Sequence, residues 1–184
     1  MVAEVTLRHI WLSLGSNQGD RLKNLNRAVE YFLAHPKIQL LKCSPVYETE
    51  FAGTGFQDDY LNACVEIASA LDLFDLLEEF QALEKVLGRP DNGHMKPRPL
   101  DVDFLLVDDL VSSDKRLILP HPRLHERLFV LAALNDLAPL KKIPNSGETV
   151  SMLCAKIRRK DGSAVVLRPD LLLEPALPGR NMEE

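Results

Sequence analysis

Residues 60–87 read YLNACVEIASALDLFDLLEEFQALEKVL, and this stretch decides the fold class. Apolar and polar side chains alternate over its first nine residues, which predicts a strand over 60–68 with one apolar and one polar face. The polar face would carry Tyr60, Asn62, Cys64 and Glu66. From residue 72 onward apolar residues recur at helical spacing, so we predict a helix over 72–87 that Asp72 caps and Gly88 ends.

The alternation of strands and helices continues on both sides of this stretch. The further predicted elements are strands over 5–14, 38–48, 100–107 and 117–119, helices over 20–34, 123–134 and 149–158, and a last hairpin arm over 161–167. The order β-α-β-β-α-β is that of split βαβ proteins, which have an antiparallel sheet with helices packed on one face. We expect an α+β protein with a single domain over 1–165 and a loosely held C-terminal tail over 166–184.

The composition is that of an ordinary globular protein of 184 residues, with 46% hydrophobic and 27% charged residues. The formal net charge of −5 disfavours non-specific binding to nucleic acid or anionic membranes, which needs a basic surface. Cys43, Cys64 and Cys154 are far apart and odd in number, so they predict neither a disulfide framework nor a zinc site. Charges interrupt the N-terminal segment, and no stretch has the roughly 20 apolar residues of a membrane span. We expect a cytoplasmic protein.

Two carboxylates interrupt the strand predicted over 100–107. Asp101 and Asp103 are two residues apart, so in a strand they project from one face, roughly 7 Å apart. Arg89, Lys96 and Arg98 shortly precede them. Magnesium prefers few carboxylates together with phosphate oxygens, and guanidinium groups bind phosphate through paired hydrogen bonds. This grouping favours a site for a metal-bound polyphosphate; the alternative is the solvated outer face of a strand.

Two further patterns have ordinary explanations beside the functional ones. The segment GSNQGD, residues 15–20, is either a phosphate cradle at a helix N-terminus or a simple strand-to-helix turn. The chain has no G-x-x-x-x-G-K-[ST], which excludes a P-loop. An amide can pair with the edge of a heterocycle, so Asn62 beside Tyr60 is a candidate ligand-binding residue, although an isolated Asn in a strand is more often a surface residue.

The remaining polar candidates lie on predicted helices or near them. Gln81 and Glu84 form an i, i+3 pair, which a solvated helix face would also explain. His121 and His125 lack the Glu of H-E-x-x-H, and Pro122 hinders a helix that spans both. We therefore interpret His121 and Arg127 as contacts to an anion or a nucleotide, not as metal ligands.

Six segments in a fixed order together resemble one family, the 6-hydroxymethyl-7,8-dihydropterin pyrophosphokinases. The segments are LSLGSNQGDRLKNL at 12–25, YET at 47–49, YLNACVEI at 60–67, QALEKVLGR at 81–89, PRPLDVDFLL at 97–106 and LPHPRLHERLFVL at 119–131. The resemblance covers about residues 10–140 and leaves 150–184 outside. It implies a ferredoxin-like fold and a folate-pathway enzyme that transfers diphosphate from ATP to the hydroxymethyl oxygen of the pterin, with release of AMP.

The resemblance also implies roles for individual residues. Asp101 and Asp103 would hold two magnesium ions between protein and ATP, and Arg89 and Arg98 would contact the phosphates and stabilise the transferring charge. The positions that match the nucleotide side are Gln81, Glu84, Arg89, Arg98, Arg116, His121 and Arg127. The positions that match the pterin pocket are Asn17, Thr49, Ala52, Tyr60, Asn62 and Phe129. The partners would be these two small molecules alone, and we expect a monomer.

The chain departs from the family pattern beside the predicted site. Glu50 stands where proline is usual after Y-x-T, Asp91 where an arginine is common, and Met95 near a usual Trp or Tyr. We expect activity with altered loop contacts, and we expect the loop 88–99 to close over both substrates and exclude water. Two alternatives stay open: a module that binds pterin or nucleotide without catalysis, and a different metal-dependent nucleotidyl- or phosphotransferase.

Overall fold

The computed structural model describes residues 6–50, 58–89, 96–160 and 164–173, which form eight strands and four helices. The strands are β1 Arg8–Ser16, β2 Ile38–Cys43, β3 Tyr47–Thr49, β4 Tyr60–Ser69, β5 Asp101–Val107, β6 Ser112–Asp114, β7 Leu117–Leu119 and β8 Val165–Leu167. The helices are α1 Arg21–Ala34, α2 Leu73–Val86, α3 Leu128–Leu137 and α4 Val150–Arg158. None of these helices has the length and apolar character needed to cross a membrane.

One antiparallel sheet organises the chain. Its strand order is β5-β1-β4-β3-β8, and β2 also pairs with β4. Every pairing in this sheet is antiparallel, and β6 and β7 form a separate two-stranded sheet. The predicted mixture of helices with an antiparallel sheet is confirmed. The strand predicted over 38–48 is divided into β2 and β3, which pair with different parts of β4.

Helices α1 and α2 cover one face of the sheet. Phe32 of α1 and Phe80 of α2 are fully buried, and their ring centroids lie 5.4 Å apart in an edge-to-face arrangement. Phe80 also stacks on Phe104 of β5 at 5.5 Å. Aromatic contacts of this kind add to the free energy of burial. Asp72 caps α2 through its side chain, as predicted, and the side chain of Asp20 caps α1 in the same way.

Helices α3 and α4 cover the opposite face, so the prediction of helices on one face only is wrong. Trp11 of β1 and Cys64 of β4 are buried there in a second cluster with residues of α3 and α4. The sequence of α3, LFVLAALNDL, is apolar on nearly every side, which suits a helix enclosed by other elements. The predicted polar face of β4 is therefore buried too, because α3 lies over it.

The boundaries of α3 and of the C-terminal segment differ from expectation. Turns around His121 and Leu124 delay the start of α3 to residue 128. The predicted tail begins at 166, but β8 pairs with β3, and Leu171 and Leu173 pack against the α1–α2 side of the core. The final residues, 174–184, lie outside the described ranges.

Candidate active site

Three neighbouring strands bring polar residues onto one face of the sheet. Gly15 of β1 pairs with Asn62 of β4 on one side and with Asp101 of β5 on the other. Residues directly opposite each other in antiparallel strands point to the same face, so these positions form one row. A Cβ at Gly15 would lie 3.5 Å from Oδ1 of Asn62 and 3.9 Å from Cβ of Asp101. The absence of a side chain at Gly15 therefore leaves space between the amide of Asn62 and the carboxylate of Asp101.

Two arginines share one carboxylate oxygen of Asp101. Nη1 of Arg89 lies 2.9 Å from Oδ1 of Asp101, and Nη1 of Arg98 lies 2.8 Å from the same atom. Charge-assisted hydrogen bonds of this kind are about twice as strong as neutral ones. The arginines predicted to bind phosphate are thus gathered at the carboxylate predicted to bind metal.

Asp103 lies two residues further along β5 on the same face. Its Oδ2 is 3.4 Å from Nη1 of Arg127, at the start of α3, and 3.9 Å from Nε2 of His121. Burial and the neighbouring charge of Asp101 raise the pKa of Asp103 to about 6, although nearby arginines lower it. A second carboxylate is costly to ionise in such a place. A cation held between the two aspartates would relieve this cost, which fits the predicted metal role.

His121 presents a neutral ring to the site. Burial, followed by the charges of Arg127 and Arg123, lowers the pKa of His121 to about 4. Its Nδ1 accepts a hydrogen bond from the backbone N–H of Arg123 at 3.1 Å. The neutral ring therefore carries its proton on Nε2, the nitrogen on the side of Asp103. His121 can donate a hydrogen bond to an anionic ligand.

Glu84 supports Arg89 from the protein interior. It is 3% exposed, and its Oε1 accepts a hydrogen bond from the backbone N–H of Val102 at 2.7 Å. Its Oε2 lies 2.5 Å from Nη1 of Arg89. Burial raises the pKa of Glu84 to about 7, against the opposing effects of the Val102 hydrogen bond and the Arg89 charge. These contacts join α2 to the start of β5 and orient Arg89; the predicted nucleotide contact of Glu84 stays a prediction.

Asn17 joins the residues after β1 to those before β5. Its Oδ1 accepts from the backbone N–H of Arg98 at 2.8 Å, and its own backbone N–H donates to the carbonyl of Arg98 at 3.2 Å. Its Nδ2 donates to the carbonyl of Asp58 at 3.5 Å. The resemblance assigns Asn17 to the pterin pocket. The structure shows that it also fixes the backbone of a predicted phosphate-binding arginine.

Several of the residues predicted to bind pterin lie beside Gly15. Nδ2 of Asn62 donates to Oγ1 of Thr49 at 2.9 Å, and both side chains are buried. Cδ1 of Tyr60 would lie 3.8 Å from a Cβ at Gly15. Phe129 lies in the first turn of α3 and packs, partly buried, against the second cluster. The structure thus brings Asn62, Thr49 and Tyr60 together beside Gly15.

Arg116 and Gln81, two residues predicted to lie on the nucleotide side, have different surroundings from the residues described above. The guanidinium of Arg116 lies 3.8 Å from the centroid of the Phe74 ring and pairs with Asp114 at 3.0 Å. Gln81 is exposed on α2. The remaining predictions fall on residues outside the described ranges: Ala52, Asp91, Met95 and the part of the loop 88–99 that comprises residues 90–95.

The donors on β5 suit magnesium. Among the described residues no three His, Cys, Asp or Glu side chains group as a metal site. Asp101 and Asp103 would leave the other ligand positions to substrate oxygens and water, which is how magnesium is commonly held beside a nucleotide. The two aspartates therefore fit this metal.

Gly15 is a site residue that was not identified from the sequence. The segment 15–20 suggested either a phosphate cradle or a turn, but Gly15 and Ser16 belong to β1, and the Asp20 side chain occupies the first turn of α1. A glycine inside a strand often marks close approach of a ligand or another backbone. Its place directly after the predicted strand over 5–14 could have given this signal.

Comparison with known proteins points to one family. The family described as 7,8-dihydro-6-hydroxymethylpterin-pyrophosphokinase (HPPK) matches residues 11–139. The 2-amino-4-hydroxy-6-hydroxymethyldihydropteridine pyrophosphokinase of Bacillus subtilis is 41% identical over 140 residues, which are 76% of this chain and 84% of the relative. The protein of the same name from Methylorubrum extorquens is 41% identical over 147 residues, or 80% of this chain and 92% of the relative.

Solved structures agree on the fold. A variant of Plasmodium falciparum HPPK-DHPS with SDX-DHP matches with a TM-score of 0.66 at 13% identity, over 84% of this chain and 46% of that chain. The same Plasmodium variant with pteroate matches with a TM-score of 0.65 at 13% identity, over 84% of this chain and 41% of that chain. This chain therefore spans less than half the length of those structures. The family match and the 41% identity over most of two relatives show that this chain belongs to the 7,8-dihydro-6-hydroxymethylpterin-pyrophosphokinase family, whose members are diphosphotransferases of folate biosynthesis.

Proposed function

We propose that the site on β1, β4 and β5 transfers diphosphate from ATP to the hydroxymethyl oxygen of 6-hydroxymethyl-7,8-dihydropterin and releases AMP. The observation that carries this proposal is the row of Asn62, Gly15 and Asp101 across three strands. It places an amide suited to a heterocycle beside carboxylates and arginines suited to a metal-bound polyphosphate. Family membership supports the reaction class.

The proposed transfer joins the hydroxymethyl oxygen to the β-phosphorus of ATP. The bond that breaks joins the β-phosphorus to the oxygen that bridges to the α-phosphorus, and this oxygen leaves with AMP. The hydroxyl proton is released during the transfer. Such reactions depend mainly on positioning the reactants and neutralising charge. The cluster of Arg89, Arg98 and Arg127 around two carboxylates supplies both.

Asp101 and Asp103 would hold magnesium, and we propose two ions. Bound magnesium neutralises the phosphate oxygens and orients them for in-line attack. The raised pKa of Asp103, caused by burial and by Asp101, supports a cation between the two carboxylates.

Arg89 and Arg98 would change partners when substrate binds. Both now contact Oδ1 of Asp101. The two guanidinium groups would turn from Asp101 to the phosphate oxygens and to the charge that gathers on the leaving oxygen, and Asp101 would hold a cation in their place. The contact of Arg89 with Glu84 holds it near the site during this exchange.

The pterin would lie over Gly15. Asn62 would pair with the edge of its ring, oriented by Thr49, and Phe129 would stack on its face. Tyr60, Asn17 and the backbone of Ala52 would line the pocket. The nucleotide side would be formed by Gln81, Glu84, Arg116, His121 and Arg127.

Further aspects of the proposal concern the fold and its setting. The order β5-β1-β4-β3, with α1 and α2 as the connecting helices, supports a ferredoxin-like core. We propose a cytoplasmic monomer. The free thiols of Cys43, Cys64 and Cys154 support a reducing compartment.

Product analysis tests the proposed function. Wild-type protein with ATP, magnesium and the hydroxymethyl dihydropterin should form AMP and the pterin diphosphate in equal amounts. Arg159→Ala, which changes an exposed arginine at the end of α4, should retain wild-type turnover. Binding of both substrates without AMP would indicate a non-catalytic module, and ADP would indicate transfer of a single phosphoryl group. Either result would contradict the proposal.

A further inference from the structure

We propose that residues 164–173 are a positioning element for the pterin side of the site, with Arg168 as its positioning residue. This inference rests on the proposed function. The segment lies beyond the family match, which ends at residue 139. Its contacts nevertheless lead to both strands that carry the predicted pterin residues.

The first connection is the pairing of β8 with β3. Val165 is the cross-strand partner of Thr49, and the backbone N–H of Arg168 donates to the carbonyl of Val46 at 2.9 Å. Thr49 in turn accepts the hydrogen bond from Asn62. Without β8, β3 would be a three-residue edge strand. Pairing on both sides restricts the motion of Thr49 and hence of the Asn62 amide.

The second connection is a chain of ion pairs. Glu48 of β3 lies between two arginines: its Oε1 is 2.9 Å from Nη1 of Arg21, and its Oε2 accepts from Nη1 of Arg168. Nη1 of Arg21 also donates to the carbonyl of Asp59 at 2.7 Å. Arg168 is thus connected through Glu48 and Arg21 to the residue that precedes β4. The side chains of Glu48, Arg21 and Arg168 are 22%, 27% and 29% exposed, so solvent screens this chain only in part.

The guanidinium of Arg168 is held in place by its own segment. Nε and Nη2 donate to the two carboxylate oxygens of Asp170 at 3.0 Å and 2.8 Å. This paired contact uses one side of the planar group and directs Nη1 to Glu48. Leu171 and Leu173 then pack against the core on the α1–α2 side. The segment is therefore anchored at both of its ends around Arg168.

These contacts separate the two sides of the site. Arg168 acts on β3 and on the start of β4, which carry Thr49, Tyr60 and Asn62. The aspartates lie on β5, on the other side of β1. Loss of Arg168 should therefore weaken pterin binding and leave ATP binding and the chemical step largely intact.

The experiment compares Arg168→Ala with a matched control. We expect the KM for the pterin to rise about tenfold, because charge-assisted hydrogen bonds in a partly buried place are lost. We expect kcat and the KM for ATP to change less than about twofold, and Arg168→Lys to recover part of the pterin KM, since an ammonium retains charge but not the planar fork. Lys156→Ala removes an ion pair with Glu148 elsewhere in the C-terminal region and should change none of these values.

Hydrogen exchange gives a readout that does not depend on catalysis. Backbone amides of 47–49 and 60–62 should exchange faster in Arg168→Ala and not in Lys156→Ala. An unchanged pterin KM in folded protein, unchanged exchange, or an equal loss of kcat and of both KM values would overturn the proposal. If Arg168→Ala does not fold, Arg168→Lys and Asp170→Asn are judged by the same criteria, with smaller effects expected. Absence of AMP from wild type would contradict the proposed function alone, because the exchange data test the connection independently.

Discussion

Nη1 of Arg98 lies 2.8 Å from Oδ1 of Asp101, so a predicted phosphate ligand and a predicted metal ligand neutralise each other. The backbone of Arg98 is fixed by Asn17 on both its N–H and its carbonyl. Under the proposed function, the Arg98 side chain would turn from Asp101 to the phosphate chain of ATP while its backbone stays fixed, and Asp101 would hold a cation. The pair would therefore link metal binding to phosphate binding.

Replacement of Arg98 should affect the chemical step most. In Arg98→Ala we expect kcat to fall on the order of 100-fold, because one cation that stabilises the leaving oxygen is lost. The Kd for the pterin should change less than about threefold, since Asn62 and Thr49 are intact. Steady-state AMP formation and equilibrium binding measure the two quantities. A loss of pterin affinity as large as the loss of kcat would contradict this role.

Replacement of either aspartate should remove turnover while the fold persists. Asp103→Asn should cost several kcal/mol of transition-state stabilisation, on the order of 1000-fold in rate, because a metal ligand is lost. The thermal midpoint without ligand should stay equal or rise, since the repulsion between two half-buried carboxylates is removed. Asp109→Asn, at an exposed acid paired with Lys141, is the control and should keep wild-type turnover. Near-normal rates in both Asp101→Asn and Asp103→Asn would show that these residues are not the metal ligands.

A methyl group at Gly15 should interfere with substrate and spare the fold. The added Cβ would meet Asn62, Tyr60 and Asp101 at 3.5–3.9 Å, which is ordinary van der Waals distance. Gly15→Ala should therefore be neutral or stabilise by up to about 1 kcal/mol through the unfolded state. The pterin KM should rise about tenfold, because the methyl group takes space above residue 15, where the pterin ring would lie. Unchanged pterin KM would place the pterin elsewhere.

Local sequence patterns identified the elements that touch the first face of the sheet. The apolar stripe and the cap of α2, and the apolar spacing of α1, depend on residues a few positions apart, so the bounds of both helices agree with expectation within one or two residues. The second face was missed for a physical reason. The alternation of β4 assigned Cys64 to the polar face of the strand. This residue is covered by α3, which follows more than sixty residues later. Local alternation cannot report a layer that a distant segment supplies.

The candidate site was likewise predictable where it depends on residues close in sequence, and was missed where it depends on distant ones. Strand geometry alone places Asp101 and Asp103 on one face, and the structure gathers Arg89, Arg98 and Arg127 around them. The contact of Glu48 with Arg168 joins residues 120 positions apart, and no spacing rule predicts it. The burial of Glu84 was also missed, because its helical position did not show that β5 would present the N–H of Val102 to it.

This burial makes Glu84 a source of pH-dependent stability. Burial raises the pKa of Glu84 from 4.5 to about 7, so the folded protein keeps this proton at pH values where the unfolded chain has released it. The unfolded state then binds fewer protons, and the contribution of Glu84 to stability falls as pH rises from 4.5 to about 7. A glutamine side chain at this position would not titrate, and its amide oxygen could still accept from Val102. In Glu84→Gln the free energy of unfolding relative to wild type should therefore rise across this range, by up to about 3 kcal/mol.

Denaturant unfolding at several pH values between 4.5 and about 7 measures this difference. Glu78→Gln, at an exposed position of the same helix, is the matched control and should show no comparable trend. A difference between wild type and Glu84→Gln that is constant with pH would mean that the ion pair with Arg89 at 2.5 Å keeps Glu84 ionised in spite of its burial. In that case the Arg89 contact, not the desolvation of the carboxylate, would determine the protonation state of this residue behind the active site.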